Sequence, residues 1–142
     1  MKDASSAHLS LQNLISCYLE TNPAEALKSW ADRNWKVESH EDVDEASMKY
    51  IALLILDAIE SRASKIVLEK GCPALVAAND SEHMLPAAPE SILARGLEIL
   101  REITGMEGAT ARGNLSLGIR NDSIELTVEK SEALHIIRLP SL

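Results

Sequence analysis

The chain has 142 residues, with 22 acidic side chains against 14 basic ones, for a formal net charge of −8 at pH 7. Hydrophobic residues at 46% and charged residues at 25% are ordinary globular values, so one core is expected and disorder along most of the length is excluded. The acidic balance, with no Lys/Arg-dense stretch, removes nucleic acid as a partner, because non-specific affinity for phosphates comes from cationic neutralisation.

From the N-terminus, MKDASSAHLS lacks the apolar core of a signal peptide, and a cytoplasmic location is expected. Leu11, Leu14, Ile15, Tyr18 and Leu19 then fall at helical spacing, which predicts a short helix over Leu9 to Leu19 with one apolar stripe. Asn22, Pro23 and Glu25 read as N-cap, first and third positions of a second helix, which carries Leu27, Trp30 and Ala31 inward and fades near Asn34. Glu38 to Glu45 holds five acids and no base, a solvated connector that feeds the positive end of a third helix. That helix, about Glu45 to Arg62, is apolar nearly all round at Ile51 to Leu56, and needs either cover on several sides or a partner on one. The apolar run is far short of the ~20 residues that cross a bilayer, so no membrane insertion is expected.

After Arg62 the period changes. Lys65–Glu69 and Ala74–Ala78 are β-prone runs split by Gly71 and Pro73, and predict two neighbouring strands. Glu82 and His83 read as a polar loop. Ile92, Leu93, Leu97, Ile99, Leu100 and Ile103, after Pro89 and before Gly105, predict a helix from about Pro89 to Thr104. Gly105 to Gly113 reads as a flexible connection. Three alternating runs follow, around Leu115–Ile119, Ile124–Val128 and Leu134–Leu139, with turns at Asn121-Asp122 and Lys130-Ser131, as in an antiparallel meander. His135 is expected to face solvent.

Catalytic signatures are missing from the string itself. It contains no phosphate-gripping G-x-x-x-x-G-K-[ST] and no G-x-S-x-G, and neither Cys17 nor Cys72 has a nearby His. The two isolated cysteines read as small apolar residues rather than a disulfide framework or zinc knuckle. His40 among Glu41, Asp42 and Asp44, and His83 beside Glu82, have no recognised metal-ligand spacing. Neither an enzyme, a cofactor nor a metal site is expected. Trp30 and Trp35 have two readings, the packing of a helical hairpin or an aromatic contact surface.

One stretch is familiar as a whole. Leu53 to Pro73 resembles the segment of the type II secretion and type IV pilus ATPase family in which an apolar helix ends in Ala-Ser-Asp-Ile-His and then a Gly-x-Pro turn, with Ala63, Ser64, Ile66, Gly71 and Pro73 matching. The run Gly113 to Leu139 also looks like that family's meander, and the likeness spans about Met48 to Leu139. It implies a small PAS-like N-terminal domain that packs on the family's motor domain, here without the motor, since the chain stops at Leu142 with no phosphate loop. Lys65 and Val67 stand where the family carries Asp and His, and Ala77 where it carries Arg, so the polar contacts to a nucleotide-bearing neighbour are not expected.

The expected fold is α+β, with a helical extension at 1–40 and, at 41–142, an α-β-β-α-β-β-β unit whose mainly antiparallel sheet is covered by helices on one face. The expected function is a non-enzymatic protein-interaction or regulatory module that meets a secretion or pilus component or another copy of itself. A small acidic secretion chaperone and a PAS-like ligand sensor are the alternatives. The residues first expected to touch a partner are Glu41, Asp42, Asp44 and Glu45 of the acidic connector, and Lys65.

Overall fold

The computed structural model describes residues 4–36, 42–105, 110–119, 122–131 and 134–140. The described residues form four helices and six strands, in the order α1 (Ala4–Tyr18), α2 (Pro23–Asp32), α3 (Val43–Glu60), β1 (Lys65–Glu69), β2 (Ala74–Ala77), β3 (Glu82–Leu85), α4 (Glu90–Thr104), β4 (Thr110–Ile119), β5 (Asp122–Ser131) and β6 (Leu134–Arg138). The strands form one antiparallel sheet in the order β3-β2-β1-β6-β5-β4. Two three-stranded meanders are thus joined edge to edge through β1 and β6, and α4 carries the chain from one outer strand to the other.

Local chemistry sets the helix ends. The Asn22 side chain accepts the Glu25 amide at 3.1 Å and opens α2, with Pro23 at its first position, where a missing N–H costs nothing. Asp42 does the same for α3, accepting the Glu45 amide at 2.8 Å. Gly105, at φ 71°, takes the left-handed C-cap of α4, a conformation that strains a residue with a Cβ. Gly96 lets α4 approach α3 closely, since a Cβ there meets Ile51 Cγ1 at 3.0 Å.

The helices pack on one face of the sheet. α3 lies at the centre, against α1, α2, α4, β1 and β2, which explains why Ile51 to Leu56 is buried all round. Of its two readings, cover on several sides is the one the molecule adopts. Leu11, Ile15, Leu27 and Trp30 of the first two helices join α3, α4 and the inner sheet face in one continuous core. Trp30 is buried, its ring 5.0 Å from that of Trp35, which lies 5.7 Å from Tyr50. The tryptophans are therefore core packing of the helical layer.

Several expectations change. Glu82 and His83 are part of a strand, β3, because their backbone pairs with Ala77 and Val76 of β2. The sheet thus has a strand more than the alternation of apolar residues predicts. β4 begins at Thr110, inside the stretch read as a connection, and Lys130 and Ser131 lie in β5 rather than in a turn. Both shifts arise because β4 and β5 pair over their full ten residues, beyond their apolar centres. Cys17 and Cys72 are exposed, not packed as small apolar residues. His135 is buried at 5% relative exposure: it shares the inner face with Ile137, so Leu134 and Ile136 take the outer one. Residue 121 lies outside the described residues.

Candidate functional site

No helix among the described residues covers the outer face of the sheet, and its composition follows from strand alternation. The register places Met84, Leu75, Val67 and Ile136 side by side on β3, β2, β1 and β6. Adjacent strands lie about 4.8 Å apart, so the row spans about 14 Å. Leu75, Val67 and Ile136 are half-buried by their neighbours, and Met84 is 66% exposed. Leu134, opposite Glu69, extends the apolar strip along β6.

Charge frames this strip. Lys65 and Arg138 face each other on β1 and β6 on one side of the row, and Glu69 lies on β1 on the other side. Beyond Ile136 the row turns polar: Glu129 receives Arg138 Nε at 2.7 Å and Arg112 Nε at 3.8 Å. Ser116 and Glu125 are hydrogen-bonded to each other further along β4 and β5. The outer face therefore carries one apolar row across β3, β2, β1 and β6, flanked by Lys65, Glu69 and Arg138, and is polar over β5 and β4.

The residues expected to touch a partner lie apart. Glu41 is outside the described residues. Asp42 caps α3, Glu45 is in its first turn, and Asp44 is held by Arg95 of α4 through Nε at 2.7 Å and Nη2 at 3.2 Å. Arg95 Nη1 also meets Glu98 at 3.0 Å and Glu102 at 3.4 Å. The hydrogen bond that Arg95 donates to Asp44, and the charge of that carboxylate, keep the guanidinium protonated well above its usual range. Asp42 thus works at the start of α3 and Asp44 at the α3–α4 contact, whereas Lys65 stands on the outer sheet face beside Val67.

The row itself was not singled out in the sequence, although the signal was present. In β1, Ile66, Val67 and Leu68 are consecutive apolar residues, as are Ile136 and Ile137 in β6, so both phases of the alternation are apolar there. A strand with one wet face reads apolar on one phase only.

Buried polar groups sit on the inner side. Asp57 of α3 accepts from His83 Nε2 at 2.5 Å, tying edge strand β3 to the central helix. Tyr50 donates to Pro86 O at 3.2 Å, and burial pushes its hydroxyl up to about 12 against a small opposing effect of the Ala88 backbone. Open hollows lie among the described residues. One of about 790 Å³ is bordered by Arg62, Ser64, Asn79, Asp80 and Ser81, and one of about 210 Å³ by Lys70, Glu90, Leu93, Leu97, Arg101 and His135. Neither sets a Ser, Thr or Cys beside a His. Among the described residues no three His, Cys, Asp or Glu side chains gather as metal ligands, and no helix is long and apolar enough to cross a membrane. A scan against protein-family models and a search of the curated proteins both find no match for the chain.

Proposed function

We propose that this protein is a non-enzymatic protein-interaction module of the cytoplasm that works through the outer face of its sheet. The observation that carries the reading is the row Met84, Leu75, Val67 and Ile136, apolar surface that the molecule's own helices leave uncovered. Burying such a strip against another protein gains roughly 25 cal/mol for each Å² removed from water, and its framing charges supply orientation. The resemblance of Met48–Leu139 to the N-terminal domain of secretion and pilus ATPases gives the setting: a docking or regulatory element of a secretion or pilus apparatus.

The test uses the full chain as bait in extracts of cells that assemble such an apparatus, beside a Val67→Glu bait. The expected result is recovery of an identified apparatus component by the wild type and its loss with the variant. Equal recovery by both baits, or ATP turnover by the purified chain, overturns the reading.

A further inference from the structure

We infer that the occupant of this outer face is a second copy of the same chain, related by a two-fold axis that runs along the row Met84–Leu75–Val67–Ile136. The inference rests on the reading just given and names the partner of that same surface.

The argument is one of symmetry and charge. A face-to-face homodimer is isologous, so the patch has to complement itself under a two-fold rotation in the plane of contact. Two axes are natural for a sheet, one across the strands and one along them. With the axis across the strands, the apolar row lies over its own copy. The residues on either side of it exchange places: Lys65 of one copy stands over Glu69 of the other, and Glu69 over Lys65. Arg138 stands over Leu134 of the other copy, next to that copy's Glu69. With the axis along β1, by contrast, Lys65 meets Lys65 and Glu69 meets Glu69. Only the first arrangement buries the whole row and sets unlike charges opposite each other at both ends of β1.

The surface also suits packing of sheet on sheet. Stacked sheets lie about 10 Å apart with mean strand directions within about 30°, a gap that branched side chains of the size of Leu75, Val67 and Ile136 fill by interdigitation. Twist lifts the far strands out of such a contact. The polar end, where Glu129 is held by Arg138 and Arg112, falls on β5 and β4, at the rim. The β3 end carries Met84, an unbranched side chain that adapts to an irregular opposing surface.

The experiment is light scattering and sedimentation equilibrium on the full chain over a concentration series, with four variants and thermal melts to confirm folding. Wild type is expected to dimerise. Val67→Glu sets two carboxylates against each other at the axis and is expected to leave a folded monomer. Lys65→Glu and Glu69→Lys each set like charges opposite each other twice per dimer, and each is expected to weaken association about tenfold at low salt. The double variant Lys65→Glu/Glu69→Lys restores unlike pairs and is expected to return most of that loss, which an axis along the strands does not allow. A dimer unaffected by Val67→Glu, or a double variant no tighter than the singles, overturns the inference. A chain that stays monomeric, yet loses its apparatus component on Val67→Glu, overturns the homodimer and leaves the interaction module standing. A monomer whose capture ignores Val67→Glu overturns both.

Discussion

The two faces of this sheet are made from alternate residues of the same strands, yet they are used differently. On the inner face Ile66, Leu68, Val76, Leu126, Val128 and Ile137 are buried under the helical layer. On the outer face, one residue along, Val67, Leu75 and Ile136 remain half-buried and Met84 largely bare. The comparison separates two jobs of apolar surface. The inner residues hold the chain together, because α3 and α4 close over them. The outer row adds little to the single chain and becomes valuable only when another molecule covers it. The outer face itself repeats the contrast: β5 and β4 present Thr127, Glu129, Glu125, Ser116 and Asn114, as a wet face does, and its large apolar side chains, Met84, Leu75, Val67, Ile136 and Leu134, fall on β3, β2, β1 and β6.

Adjacent residues give the largest test of that contrast. Ile66→Ala removes a fully buried side chain facing Val76 and Ile137, and is expected to cost about 2 to 4 kcal/mol in denaturant unfolding. Val67→Ala, measured in dilute solution, is expected to cost less than about 1 kcal/mol, as substitutions away from a sealed core do. Equal losses would break the distinction between the faces.

Tyr50 sharpens it from the inner side, because its hydroxyl is sealed with the core. Its ionisation is raised from 10.0 in a free side chain to about 12 in the fold. The folded chain thus keeps a proton that the unfolded chain gives up: the stabilisation is complete below pH 10 and disappears as pH rises through about 12. The amount at stake is about 2 to 3 kcal/mol. Stability measured across that window is expected to fall more steeply for wild type than for Tyr50→Phe, and superimposable slopes would deny the burial its effect.

His83 comes next. It reaches from edge strand β3 to Asp57, whose side chain is only 10% exposed, so His83→Ala strands a carboxylate at the helix–sheet boundary. Because His83 itself is 41% exposed, water partly compensates, and the expected cost is about 1 to 2 kcal/mol. A double-mutant cycle with Asp57→Asn isolates the pair, and a coupling near zero would sever β3 from α3 energetically.

How much of this was legible in the sequence depended on whether periodicity or pairing decided the element. The cap at Asn22, the α3 run and the α4 stripe are local chemistry and were readable, whereas Asp42, which caps α3, was read only as part of the acidic connector. β3 was not, because Glu82-His83-Met84-Leu85 has no apolar phase; it is a strand on account of β2 beside it and of Asp57 beneath His83. His135 was misplaced for a related reason: Leu134 and Ile136 outvote it by composition, but β6 takes its phase from Ile137, which pairs with both Ile66 and Val128. Among the described residues expected as contacts, Lys65 is the one on the candidate surface. Of the acidic connector, Asp42 caps α3 and Asp44 binds Arg95.

The smallest expected effect concerns the border between the two faces, at edge strand β4. Gly118 N–H donates to Gln12 Oε1 and Gln12 Nε2 donates to Gly118 O, both at 2.6 Å, while His8 Nε2 donates to Ser116 O at 2.6 Å. The Gln12 amide thus occupies the place that the backbone of a further strand would take, and α1 closes this part of an edge that would otherwise invite pairing. Gln12→Ala frees both Gly118 groups, but they lie at the surface and water replaces the lost partner. Leu11 and Ile15 still anchor α1 in the core, so global stability is expected to fall by no more than about 1 kcal/mol. The Gly118 amide, in contrast, is expected to exchange with solvent several-fold faster, since its protection comes from this side chain rather than from β5. A large global loss with unchanged exchange at Gly118 would mean that Gln12 holds α1 to the core and does not guard the edge. The outer row would then be bounded at β4 by strand pairing alone.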